Sequence, residues 1–116
     1  MKQQSPITGL GQIADQFNGI LCDVWGVLHN GVSAFPPAIE ALETYKARYG
    51  RPIVLITNAP RPAKEIAEHL RSLGVPETCY DSIVSSGDVV QADLRAMEHA
   101  KVYHIGPEKN HNLFHG

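Results

Sequence analysis

Two short runs, residues 20–24 (ILCDV) and 52–57 (PIVLIT), carry apolar side chains at consecutive positions, and a stretch of helical periodicity lies between them. A strand with one face in water alternates apolar and polar residues, so consecutive apolar positions call for cover on both faces. Parallel neighbours need a crossover of a dozen residues or more, and the segment between the runs supplies one. Ile39, Leu42, Tyr45 and Tyr49 fall on one helical face, Pro37 suits a first turn and Gly50 a C-terminus. A second helix opens at Pro62, turns Ile66, Ala67, Leu70 and Leu73 inward and stops at Gly74. Residues 81–86 (DSIVSS) read as a weaker third strand. From Gly87 a helix with Val90, Leu94 and Met97 inward leads to residues 101–106 (KVYHIG), a fourth strand signal. Upstream, Ile7, Leu10, Ile13, Ala14 and Phe17 recur at helical spacing and predict a first helix, closed by Phe17-Asn18-Gly19. The expectation is an α/β fold: a Rossmann-like parallel sheet of three to four strands with helices on both faces.

Size and charge narrow the functions open to such a fold. A chain of 116 residues makes one domain at most, and it buries somewhat over ~60% of its unfolded surface. A formal net charge of −2 provides no basic stripe, so nucleic acid and anionic membranes are not expected partners. No apolar run approaches the ~20 residues that span a bilayer, and residues 1–12 (MKQQSPITGLGQ) lack the apolar centre of a signal peptide. The cytoplasm is the expected compartment. Cys22 and Cys79 have no CxxC partner, and Cys22 lies within an apolar strand, so reduced thiols are expected.

In an open parallel sheet ligands sit beyond the carboxyl ends of the strands, and Asp23 and Thr57 stand at two such ends. An aspartate there commonly caps a turn. That use leaves the second strand's ending, Ile56-Thr57-Asn58-Ala59-Pro60, without a reason: it offers a hydroxyl, an amide and backbone N–H groups at the same edge. A carboxylate, a hydroxyl and exposed amides together make a phosphate site in which the carboxylate can attack phosphorus. Residues 9–14 (GLGQIA) match a dinucleotide-loop pattern, but no strand precedes them, and their glycines read as helix entry.

The segment ILCDVWGVLHNG (20–31), followed by PPAIEALETYKARYGRPIVLITNAPRP (36–62), resembles the first two motifs of the haloacid dehalogenase superfamily, in the subclass of NagD-like and 4-nitrophenylphosphatase-like phosphatases. Asp23, Gly26, Val27, Leu28, Asn30 and Gly31 agree with the first motif, and Thr57 and Asn58 with the second. The resemblance implies a magnesium-dependent phosphatase of a small phosphorylated metabolite, working through an aspartyl-phosphate. Asp23 then corresponds to the nucleophile and a Mg²⁺ ligand, and Thr57 to the phosphate-binding hydroxyl. Gly26 and Asn58 fall at the phosphate or substrate mouth. Trp25 occupies the place of a second aspartate, whose carbonyl binds the metal and whose carboxylate serves as general acid and base. A cap domain follows the second motif in this subclass. The expected division is therefore residues 1–100 as the amino-terminal half of the core and 101–116 as the start of the cap, with a homodimer of the complete protein left open.

Two departures bear on activity. Tryptophan cannot transfer a proton, which removes an acid/base contribution of ~10²–10⁴-fold, although the backbone carbonyl remains for the metal. The family's later lysine and acidic metal ligands have no match, since Lys101 and Lys109 fall in the region of the cap. His29, with an ordinary pKa near ~6.5, can take the lost acid/base role or be a plain surface residue of the loop. His111 and His115 have a metal-like spacing without a third ligand and read as a terminal segment, and the mixed charges of residues 61–71 read as a solvated helix face. Two further readings stay open: a phosphoacceptor or phosphate-binding module that uses Asp23 and Thr57 without turnover, and an inactive fragment that keeps the fold alone.

Overall fold

The computed structural model describes residues 6–114. Three parallel strands, β1 (Ile20–Asp23), β2 (Ile53–Thr57) and β3 (Ser82–Ser85), form one sheet in the order β1-β2-β3. They alternate with helices α1 (Pro36–Tyr49), α2 (Ala63–Leu73) and α3 (Ser86–Ala96). This is the α/β Rossmann-like arrangement expected from the apolar runs. In register, Cys22 lies beside Leu55 and Leu55 beside Ile83, while Asp23 lies beside Ile56 and Ile56 beside Val84.

The helix ends form where the sequence supplies their chemistry. Pro36 and Pro37 occupy the first turn of α1, where a missing N–H costs nothing. Gly50 closes that helix at φ 58°, in the left-handed region that a side chain disfavours, and its N–H reaches the Lys46 carbonyl at 2.9 Å. Gly74 does the same for α2 at φ 99°, and Val75 N–H donates back to Leu70 O at 2.9 Å. At the amino end of the sheet Asp81 ties β2 to β3. Its Oδ2 accepts from Ile53 N–H at 2.8 Å, its own N–H donates to Ile53 O at 2.8 Å, and Lys46 Nζ lies 2.5 Å from Oδ1.

One face of the sheet builds the core. Ile53 and Leu55 are fully buried there with Leu28, Leu70, Val75 and Cys79, and Leu42 and Tyr45 of α1 and Ile66 of α2 join the same cluster. Both cysteines are buried free thiols, as expected. The other face is also apolar, with Leu21, Ile56 and Val84, but these are 73%, 42% and 46% exposed among the described residues.

Three expectations need correction. Residues 7–17 form two short 3₁₀ turns, Leu10–Gln12 and Ala14–Gln16, in place of one helix. Only Ala14 of that stretch is buried, so its apolar residues find too little cover to offset ordering a helix that contains Gly9 and Gly11. Residues 101–106 form no strand: Tyr103 and Ile105 are 89% and 88% exposed, and no described segment pairs with them through backbone hydrogen bonds. Val90 and Met97 do not turn inward but are 41% and 57% exposed, and α3 ends at Ala96, one residue before Met97.

Candidate functional site

Asp23 ends β1 at the carboxyl edge of the sheet, with its side chain on the exposed face. Thr57 ends the adjacent strand one residue beyond Ile56, the register partner of Asp23. Neighbouring strands lie about 4.8 Å apart, so the two residues share one corner of that edge. The pleat turns their side chains to opposite faces, and Thr57 is buried where Asp23 is open. The Thr57 hydroxyl accepts from Ala59 N–H at 3.2 Å, which leaves its own proton available to an incoming oxygen. Asn58 follows it, exposed.

The loop after Asp23 is tightly bonded to itself. Val24 O accepts from both Val27 N–H and Leu28 N–H, at 3.2 and 2.9 Å, while Val24 and Leu28 anchor the turn in the core. Gly26 takes φ 78°, the left-handed conformation that this turn requires, and donates its N–H to His29 O at 2.8 Å. Among the described residues none of the backbone hydrogen bonds outside helices and strands uses the Trp25 carbonyl. Asn30 Oδ1 accepts from Val32 and Ser33 N–H, both at 2.9 Å, which folds the far end of the loop.

His29 is no surface residue. The residue is 2% exposed, its ring between the Trp25 indole at 5.3 Å and the His69 ring of α2 at 6.0 Å, and its Nδ1 accepts from Gly31 N–H at 2.9 Å. A ring that accepts at Nδ1 is neutral with its proton on Nε2. Burial, and to a lesser extent the His69 charge, lowers its pKa below the ordinary histidine value. Beside Asp23, the Cys22 thiol lies 3.1 Å from the Asp23 carbonyl oxygen, and burial followed by the Asp23 charge raises its pKa. It stays a protonated donor.

Three residues to which the sequence assigned no part in the site hold the 58–62 loop. Ser85 Oγ donates to Arg61 O at 2.7 Å and accepts from Asp88 N–H at 3.0 Å, which caps α3. Asp88 Oδ1 accepts from Ala63 N–H at 3.1 Å, so the start of α3 also caps the start of α2. Gly87 sits against the same loop so closely that a Cβ there would lie 2.4 Å from Arg61 O. The signal was present as a serine followed three residues later by an acid, at the close of a strand and the opening of a helix.

Asp23 also touches a groove of about 280 Å³ along β1 and α1, lined by Leu21, Val27, Ala38 and Ala41, and Thr57 is not on its wall. The Asp23 carboxylate and the Trp25 carbonyl are hard oxygen donors of the kind that would suit Mg²⁺. Among the described residues there is no cluster of three or more His, Cys, Asp or Glu side chains able to hold a metal. His111 packs its ring on His104, with centroids 4.7 Å apart, and His115 lies outside the described residues. No helix among the described residues is long and apolar enough to cross a membrane.

The profile of the haloacid dehalogenase-like hydrolases matches residues 20–116. The chain is 32% identical over 93 residues to the 5'-nucleotidase YutF of Bacillus subtilis (strain 168), a match that covers 79% of this chain and 36% of that protein. In structure it is similar to a haloacid dehalogenase-like family hydrolase from Brucella suis 1330, with a TM-score of 0.85 and 44% identity over 92% of this chain and 40% of the other. A hypothetical protein from Pyrococcus horikoshii OT3 gives a TM-score of 0.56 at 26% identity, over 84% of this chain and 38% of its own. The chain thus spans about two fifths of the length of these relatives. It belongs to the haloacid dehalogenase-like hydrolases, in the NagD-like subclass that its first two motifs resemble.

Proposed function

We propose that the chain carries the nucleophile half of a magnesium-dependent phosphatase that acts on a small phosphorylated metabolite. The observation that supports this most is the convergence of Asp23 and Thr57 on one corner of the carboxyl edge, each at the end of its own strand. The coverage of about two fifths of each relative supports reading residues 1–100 as the amino-terminal half of a core and 101–116 as the start of a cap. Two buried free thiols favour the cytoplasm as the compartment. The net charge of −2 favours a small molecule over nucleic acid as the partner.

In this reading the Asp23 carboxylate attacks phosphorus. The bond to the leaving oxygen breaks, and water later cleaves the acyl phosphate to return the carboxylate and release inorganic phosphate. The Thr57 hydroxyl donates to a phosphate oxygen, and the exposed Asn58 faces the substrate mouth together with the Gly26 turn. The Asp23 carboxylate and the Trp25 carbonyl would hold Mg²⁺, which when bound offsets the repulsion between the carboxylate and the phosphate. Trp25 offers no acidic proton, and His29 is neutral, buried and engaged with Gly31. The leaving group therefore departs unprotonated, which makes turnover weak and favours aryl over alkyl phosphates. Phosphate monoesters need up to ~10²¹-fold acceleration, so the 116-residue chain, without a lysine or acidic ligands in the expected places, shows no turnover above background.

Calorimetric titration with Mg²⁺ and orthovanadate tests the reading. Mutually dependent binding that is lost in Asp23→Asn supports the site. Magnesium-dependent turnover by residues 1–116, abolished in Asp23→Asn, would show that the missing groups are dispensable. No binding of either ligand leaves a fold without a site.

A further inference from the structure

The loop that follows Asp23 contains the dipeptide Asn30-Gly31, and three hydrogen bonds converge on it. Asn30 Oδ1 accepts from Val32 N–H and Ser33 N–H, both at 2.9 Å, which folds the side chain forward over the peptide that joins it to Gly31. Gly31 N–H donates to Nδ1 of the buried His29 at 2.9 Å. Gly31 stands at φ 88° beneath the Trp25 indole, where a Cβ would lie 2.7 Å from Cη2, so the position takes only glycine and no side chain hinders its nitrogen. Asn30 itself is exposed, which opens its amide to water. These are the parts of an acyl transfer within one chain: an amide carbon whose oxygen already meets two donors, a neighbouring nitrogen, and a base on that nitrogen's proton.

We propose that Asn30-Gly31 is a self-modification site, at which the loop converts its own asparagine to aspartate or isoaspartate through a succinimide. The Gly31 nitrogen attacks Asn30 Cγ and closes the ring, and its proton passes to His29 Nδ1. Val32 and Ser33 N–H hold the charge that develops on Oδ1. The Cγ–Nδ2 bond then breaks, and the proton is returned to Nδ2 so that ammonia departs into water. A water molecule opens the imide at either carbonyl, with no net oxidation or reduction. Either product adds one negative charge to a formal net charge of −2. Isoaspartate also lengthens the main chain by one carbon, which carries Gly31 N–H away from His29. The same chain holds a reference dipeptide, Asn18-Gly19, that lacks these parts. It is exposed, Gly19 N–H makes no backbone hydrogen bond among the described residues, and the group beside Gly19 is the Pro52 carbonyl, 3.1 Å from where a Cβ would stand.

The two dipeptides make the test internal. The 116-residue chain is held near neutral pH at about 37 °C, folded and in guanidinium chloride, and both sites are followed by peptide mapping that resolves asparagine, aspartate and isoaspartate. The expected result is that Asn30 converts at least about ten-fold faster in the folded chain than in denaturant, the low end of what a positioned base and oxyanion donors supply. Asn18 gains nothing from folding. In folded His29→Gln, whose amide can still accept from Gly31 N–H but is a far weaker base, the Asn30 rate falls to about that of the denatured chain. An Asn30 that converts no faster folded than denatured shows that the three hydrogen bonds lock the side chain instead, and overturns the proposal. An acceleration shared by Asn18, or kept in folded His29→Gln, overturns it as well. The comparison of folded and denatured wild-type chain decides the matter even where the variant does not fold.

Discussion

Thr57 stands one residue beyond the register partner of Asp23, on the neighbouring strand and on the opposite side of the pleat. In the proposed reading, a ligand at the edge of the sheet is met by an open carboxylate and by a hydroxyl on the buried side. The hydroxyl is held by Ala59 N–H, so its direction is set before any ligand arrives. Thr57→Val removes the donor but keeps the shape, and is expected to weaken vanadate binding about ten-fold, the worth of one hydrogen bond to a charged acceptor. Thr57→Ser is expected to stay within about two-fold. Equal losses in the two variants would assign the role of Thr57 to packing.

The clamp on the 58–62 loop predicts an order of stabilities. Ser85→Ala loses the cap of α3 and the bond to Arg61 O, and is expected to cost about 1–2 kcal/mol in urea unfolding. Gly87→Ala forces a carbon against the Arg61 backbone and is expected to cost more, about 2–3 kcal/mol. An alanine at 87 that leaves the midpoint unchanged would mean that the loop does not pack there.

Acid sensitivity near neutrality is expected to trace to His29. Its folded-state pKa lies below the unfolded value of about 6.5, so the unfolded chain takes up the proton first as the pH falls. This contribution to stability is complete above about pH 6.5, declines below it and levels off once the folded ring also protonates. His29→Gln can keep an acceptor for Gly31 N–H but does not titrate. The difference in urea midpoint between pH 7.5 and 5 should therefore shrink in that variant, and an unchanged difference would place the titration elsewhere.

The two faces of the sheet predict opposite mutational costs. Leu55→Ala, in the fully buried centre of β2, is expected to cost about 3 kcal/mol. Leu21→Thr, on the open face of β1, is expected to fall within about 0.5 kcal/mol. A large loss at Leu21 at high protein concentration that disappears on dilution would reveal a second copy covering that face.

The elements read correctly from the sequence are those whose signals are local. Prolines at 36, 37 and 62 and glycines at 50 and 74 mark the ends of α1 and α2 through backbone geometry alone, and the apolar runs mark β1 and β2. The failures are relational. The periodicity of residues 7–17 describes a helix only if something covers it, and the apolar residues of 101–106 make a strand only beside a partner. The placement of the candidate residues follows the same division. That Asp23 and Thr57 end adjacent strands is legible from the apolar runs, whereas the burial of His29 depends on a loop folding back toward His69 of α2, a contact between residues 40 positions apart.

The strand that carries Asp23 has β2 on one side and, among the described residues, no strand on the other. Its outer row of amide and carbonyl groups is a template onto which any extended segment can add, in register with the carboxylate at its tip. Whatever pairs there lengthens the sheet and also places its own carboxyl end next to Asp23. The residue at that end then decides whether the carboxylate meets a positive neighbour, a second acid or a plain apolar wall. In the proposed reading, the surroundings of the Asp23 carboxylate are in this sense set in part from the outer edge of its strand.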